Sequence, residues 1–330
     1  MVITLCRKLF LRVLIICIIS LAASLTHGGE LPTPEKVITG IFVNNIHSID
    51  LKSDSFVVDF YIWFRWKNNA LKPHETFEII NGEIQSKTSL DQKIIHGEHY
   101  ATYRVLGHIH HNWDVRKYPL DNHKIQINIE DTVNPASAMV YVADQDNTNL
   151  SSDINLSSWK LAGKKIWASE TKYFTNYGDP TIPSNAESHF SRFTLEIDMK
   201  RKGVGYFIKL FAMLFVATGV CFLSFRIKAT DLDPRFGLPI GSIFAAAASE
   251  FTVVAGLPET NDITMADWLH INSMVFIMFT ILVSTISLRL CNHGKEEKAA
   301  QVDKMLGFIL PIVYVIITIL IVAVPTNTLN

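Results

Sequence analysis

The sequence predicts an all-β domain followed by a four-helix membrane domain. Short runs of alternating apolar and polar residues fill most of residues 29–202. Four long apolar runs then follow, at about 204–225, 236–255, 268–288 and 305–325. Each is close to the ~20 residues that cross a bilayer as a helix. The chain also opens with Arg7, Lys8 and Arg12 ahead of an apolar stretch, Val13 to Leu25, that ends among small residues. This is the pattern of a secretory signal peptide. It divides the chain into a signal peptide at 1–28, a β domain at 29–202 and a membrane domain at 203–330.

The strands justify the first domain. In "SFVVDFYIWFRW", Phe56, Val58, Phe60, Ile62, Phe64 and Trp66 share one face, which must be core. The other face carries Val57, Asp59, Tyr61, Trp63 and Arg65, a mixture that suits a protein interface. In "KIQINIED", Ile125, Ile127 and Ile129 alternate with Gln126, Asn128 and Glu130, predicting a dry and a wet face. "FTLEIDMK" points Phe193, Leu195, Ile197 and Met199 inward. Turn signals at "NG" 81–82, "NPAS" 134–137 and "NYGDP" 176–180 punctuate the strands. Several short alternating strands predict an immunoglobulin-like sandwich.

Composition narrows the function. The 330 residues carry a formal charge of −1, which gives nucleic acid no purchase. Cys6 and Cys17 lie in the leader, and Cys221 and Cys291 lie in or beside apolar runs, so no disulfide framework supports the β domain. There is no nucleophile–base motif, no HExxH and no phosphate loop, so neither an enzyme nor a cofactor is expected. His108 and His110 share a strand face. Zinc is one reading, but a lone histidine pair is more often surface, and no metal is expected.

The loops orient the helices. Arg226, Lys228 and Arg235 flank the first connection, and Arg289, Lys295, Lys298 and Lys304 fill the third. The second, "GLPETNDITMAD", has no Lys or Arg. The positive-inside rule puts the first and third in the cytoplasm, so both chain ends face outward, extracellular or periplasmic. That agrees with the signal peptide.

One short stretch, Tyr118-Pro119-Leu120-Asp121, fits a solvated loop poorly: two apolar side chains ride on a proline turn. Together with "VITGIFVNNIHSIDLKSDSFVVDFYIWFRW", Arg201 ahead of the first helix, and "GLPET" at 256–260, it resembles the pentameric ligand-gated ion channels (Cys-loop receptor superfamily), bacterial members in particular, which lack the loop cysteines. The resemblance spans nearly the whole chain after the leader. It departs at His123, where a Gln is usual, at Ala212 near a usual Pro, and in the stretch from Trp66 to Tyr118.

The resemblance implies a homopentamer in membrane lipid, opened by an unknown small-molecule ligand or by protons. It implies that the Tyr118-Pro119-Leu120 tip docks on the helices beside Pro258. Asp50, Asp121 and Arg201 would cluster there, with Arg201 facing both carboxylates. Ligand would sit between sandwiches, with Tyr173, Phe174 and Tyr177 from one subunit and Tyr61, Trp63 and Arg65 from the next. Aromatics would suit an amine and Arg65 a carboxylate, and plain subunit packing stands beside both.

Helical spacing of the second apolar run puts Asp233, Gly237, Gly241 (or Ile240), Phe244, Ala248, Phe251 and Ala255 on one stripe. The "GLP" register of the resemblance selects the same residues as pore-lining. Five Asp233 carboxylates would favour monovalent cations, and Phe244 and Phe251 would form apolar rings that close by dewetting. A tightly packed helix is the blander reading. Glu250 and His270 lie at similar depth, either as a pH sensor or as a structural pair. The expected function is a ligand- or proton-gated channel, and the alternative is a receptor of the same fold that does not conduct.

Overall fold

A computed structural model describes residues 33–180, 183 and 186–323. The signal peptide expected at 1–28 lies outside the described residues. Ten strands form two sheets that face each other. The first has the order β4-β5-β2-β1-β7, built from β1 (Glu35–Asp50), β2 (Ser55–Trp66), β4 (Gly82–Ile95), β5 (Glu98–His110) and β7 (Met139–Ala143), with β8 (Asn149–Leu150) also on β1. The second is β3-β6-β10-β9, built from β3 (Phe77–Ile79), β6 (Asn122–Asp131), β9 (Trp159–Tyr173) and β10 (Ser188–Arg201). Between Trp66 and β3 lies a single helical turn, Pro73–Thr76.

The core is the set the alternation predicts. Phe56, Val58, Phe60, Ile62 and Phe64 are fully buried, as are Ile125, Ile127 and Ile129 and Phe193, Leu195 and Ile197. Removing each such side chain from water is worth about 1.5–3 kcal/mol, so the facing sheets are held mainly by these rows. Gly40 has a packing reason: a Cβ there would come within 2.3 Å of the Trp63 ring, which lies across β1. One expectation fails. Glu130, read as facing water, is only 2% exposed. Its strand pairs with β10 in the same sheet, and side chains of β10 and β9 replace its water.

The helices are α1 (Gly203–Leu223, continued by a 3-10 turn to Arg226), α2 (Leu232–Val254), α3 (Met265–Asn292) and α4 (Glu296–Ala323). All four are long and apolar enough to cross a membrane. The chain is a multi-pass membrane protein with its β domain on one side. The helices start earlier than the apolar runs, because hydropathy marks the lipid-facing length and not the polar first turns. At α3 the added turn has a cap: Thr264 and Asp267 exchange side-chain to backbone hydrogen bonds. At α4 it is the polar stretch from Glu296 to Lys304. α1 and α3 both pack on α2 and on each other, with α4 against α3.

Candidate functional site: the sandwich–helix junction and the α2 face

The chain leaves β10 at Arg201 and enters α1 two residues later, so whatever surrounds Arg201 links the two domains. Its guanidinium grips Asp121 with two bonds, Nε at 2.7 Å and Nη2 at 2.9 Å. The two side chains are 4% and 1% exposed. His123 bonds the same carboxylate at 2.6 Å. Burial pushes the Asp121 carboxyl up, but the His123 and Arg201 hydrogen bonds and the Arg201 charge outweigh it and hold it below the usual carboxylate range. Three rings cover the guanidinium: Trp159 at 4.0 Å, Tyr118 at 5.1 Å and Tyr206 at 5.7 Å. Against His123 stand Trp113 and His111. Burial, then the charge of His123, pushes His111 down to about 4.

The tip with apolar side chains is therefore not in water. Tyr118 is buried, and its hydroxyl meets that of Tyr206 on α1 at 2.8 Å. Pro119 is buried and the Tyr118–Pro119 peptide is cis. Leu120 packs over Gly203 at the start of α1. On the other flank the Arg116 carbonyl accepts the Met265 N–H of α3 at 2.8 Å. Pro258 lines a cleft of about 600 Å³ beneath Trp113 and Arg116, closed on its other wall by Glu259 and Asp262.

Asp50 departs from expectation. It does not join Arg201. Its carboxylate accepts the backbone N–H groups of Lys52 and Ser53, at 2.9 and 3.4 Å, and so closes its own turn. A short side chain just after a strand reaches those donors first. Trp113 instead reaches this turn, donating to the Asp50 carbonyl at 3.1 Å.

α2 is divided along its length. Asp233, Gly237, Gly241, Phe244, Ala248, Phe251 and Ala255 are all exposed in the single chain, Phe244 at 72% and Phe251 at 77%. Arg235, Pro239, Ser242, Ala246, Ser249 and Val253 form the buried stripe. Arg235 is fully buried and gives two bonds to Asp303 of α4, at 2.8 and 2.6 Å, and one to the Ile227 carbonyl at 2.6 Å. Ser287 of α3 donates to the same aspartate at 2.6 Å. Helical spacing turns Arg235 about 160° from Asp233 and so off the stripe, but it gives no way to find Asp303, which lies 68 residues away in the polar head of α4.

Glu250 and His270 are not a pair. His270 is buried and its ring nitrogens meet the Ala266 carbonyl at 2.8 Å and Ser249 Oγ at 3.1 Å. Glu250, one residue on from Ser249, is turned about 100° round the helix and points away.

The candidate ligand residues divide between the sheets. Tyr61, Trp63 and Arg65 are on β2. Trp63 donates to Asp144 at 3.0 Å, and Arg104 lies over the Tyr61 ring at 6.0 Å. Tyr173 ends β9, and Phe174 and Tyr177 follow it, 80% and 64% exposed. A single chain does not bring the two sets together. Tyr173 belongs to a unit that sequence reasoning missed. Its hydroxyl bonds both oxygens of Glu130, at 3.1 and 3.0 Å, and Arg192 bonds Glu130 at 2.5 Å and Tyr173 at 2.9 Å. The one sequence clue was the pair of acidic residues "ED" that ends the strand. His108 and His110 have ring centres 5.3 Å apart, and among the described residues no group of three or more ligating side chains could hold a metal.

No family model matches the chain. Among curated proteins, it is similar to a proton-gated ion channel of Gloeobacter violaceus (strain ATCC 29082 / PCC 7421). The two are 19% identical over 313 residues, which take in 87% of this chain and 82% of that protein. The likeness thus runs through both the sandwich and the membrane helices.

Proposed function

We propose that the chain is one subunit of a homopentameric ion channel, gated by protons or a small molecule and selective for monovalent cations. The observation that carries the reading is the division of α2. Gly237, Gly241, Ala248, Ala255, Phe244, Phe251 and Asp233 are left bare, while Arg235, Ser242 and Ser249 are turned inward. A lone bundle gains nothing by exposing Phe244, Phe251 and Asp233 on one face. A ring of copies does, because that face then lines a shared axis. Asp233 sets a negative mouth at the end far from the sandwich, and Phe244 and Phe251 form the apolar constrictions. The similarity to a proton-gated ion channel supports the same reading.

In this reading the sandwich is exported and both chain ends lie on its side of the membrane. Signals pass through Tyr118, Pro119, Asp121, Arg201 and Pro258, with Asp50 shaping the neighbouring turn. Ligand sits where Tyr173, Phe174 and Tyr177 of one copy meet Tyr61, Trp63 and Arg65 of the next. The test is recording from purified protein in planar bilayers during steps of pH and additions of amines and amino acids. Currents that follow one of these stimuli are expected. Silence under all of them, with incorporation verified, overturns conduction.

A further inference from the structure

Within the apolar stretches of the membrane helices, two opposite charges have no partner among the described residues. Lys209 is exposed on α1, and Glu250 is half-buried on the flank of α2. Among the described residues neither has a hydrogen-bond or ion-pair partner. Each is surrounded in sequence by apolar residues, "YFIKLF" and "AASEFT". A charge left alone there is costly, and such residues normally face a partner or water.

The two stand at similar depth. His270 bonds Ser249 of α2 at 3.1 Å, and its ring lies 5.7 Å from that of Phe211 of α1. Residues 211 and 249 therefore lie at neighbouring levels, about one helical turn apart at most. α1 runs away from the sandwich and α2 runs toward it. Lys209 is thus about 3 Å nearer the sandwich than Phe211, and Glu250 about 1.5 Å nearer than Ser249, at 1.5 Å rise per residue. The charges thus lie within about one helical turn of each other in depth.

They do not meet inside one chain. Phe211 faces the bundle interior, and Lys209 sits about 160° round the helix from it. Glu250 shares its flank with Ile243 and Val254, which are 37% and 50% exposed. α1 and α3 both pack against the back of α2, leaving the stripe in front. In a ring with that stripe inward, the α1 side of one copy meets the α2–α3 side of the next. The face around Lys209 has room for this: a Cβ added at Gly205, one turn away on the same side, would meet nothing within 4 Å. Small residues on an exposed membrane face permit close helix approach.

Given the ring of copies proposed above, we infer that Lys209 of one copy pairs with Glu250 of the adjacent copy. The pair recurs at each subunit boundary, about two turns below the sandwich. It joins the membrane domains by charge as well as by packing.

The test uses the full chain with every native cysteine changed to serine. Lys209→Cys and Glu250→Cys are introduced together and treated in membranes with a short bismethanethiosulfonate linker. A ladder from dimer to pentamer on a denaturing gel is expected. Monomer alone, or linkage only within a chain, overturns the contact. Separately, Lys209→Glu and Glu250→Lys should each lower the yield of assembled oligomer by about tenfold, and the double swap should restore it. A ladder without rescue by the swap refutes the charge pairing. A ladder in a protein that passes no current refutes conduction and keeps the contact, whereas current without a ladder does the reverse.

Discussion

Asp121→Asn removes one charge from the buried Arg201–Asp121 pair of the junction and changes its volume little. The pair is buried on both sides, and its two bonds are 2.7 and 2.9 Å long. At an effective dielectric near 20, unit charges about 4 Å apart attract by about 4 kcal/mol. Stripping one partner from a buried pair costs about 3–5 kcal/mol, because the other charge stays desolvated. Here the rings of Trp159, Tyr118 and Tyr206 still hold the guanidinium, and cation–π contact retains about 1–2 kcal/mol of that. The expected loss is about 2–3 kcal/mol, or roughly 30- to 150-fold in the unfolding equilibrium. The assay is denaturant unfolding of the full chain in detergent, read from tryptophan fluorescence, since Trp159 and Trp113 flank the pair. Arg201→Met is the second single variant, and the double variant closes a cycle. Coupling of about 2 kcal/mol is expected. A cycle additive to within about 0.5 kcal/mol would refute the reasoning, as would single variants costing under about 0.5 kcal/mol. In the channel, Arg201→Met should also abolish activation or assembly.

His111 gives the junction a dependence on pH. Its folded value is about 4 against an ordinary 6.5, so the unfolded chain takes up the proton first. Stability therefore falls as pH drops from about 6.5 to about 4, by at most about 3 kcal/mol and less with solvent screening. His111→Gln should flatten that slope in the same unfolding assay, and an unchanged slope would assign it elsewhere. Asp121 adds a separate loss at lower pH, since its depressed carboxyl contributes stability above the unfolded value and loses it as pH falls through the folded one. Phe244→Ser should wet the mid-helix apolar ring proposed above and give standing current or greater sensitivity to the stimulus. A closed state as tight as before would move the gate to Phe251. Asp233→Asn should shift the reversal potential in a sodium chloride gradient toward that of chloride, and no shift would place the charge filter at another ring.

Both domains were legible in the sequence because their patterns are local. The dry rows of β2, β6 and β10 follow period 2, and the membrane helices follow length and hydropathy. The bare stripe of α2 follows from 100° per residue. What was not legible depends on contacts distant in sequence. Asp303 looks like one more polar residue in the head of α4, yet it holds Arg235. Glu130 sits at an outward position of its strand, yet the neighbouring strands β10 and β9 supply Arg192 and Tyr173 across the same sheet face. Asp50 misled for the opposite reason. The resemblance pointed to a distant arginine, whereas donors two and three residues away captured the carboxylate first. Glu250 and His270 share a depth, but periodicity alone would have separated them, since Ser249 and Glu250 cannot face the same neighbour.

The Arg235 network also constrains how α2 can move. Its end far from the sandwich is riveted to α4, α3 and the α1–α2 link at once, through Asp303, Ser287 and the Ile227 carbonyl. Spinning the helix about its own axis would tear a desolvated guanidinium from three acceptors. One turn further on, Pro239 lacks the N–H that would bond back to the Arg235 carbonyl, so the ladder is slack where the rivet ends. α2 then has a foot fixed by charged bonds and a head held by packing and the single Ser249–His270 hydrogen bond, and its head leads into the link beside Pro258. Spin labels on opposite copies should separate more at position 251 than at position 233 when the stimulus is applied. Equal separations at both would describe a rigid column, with the foot no longer fixed.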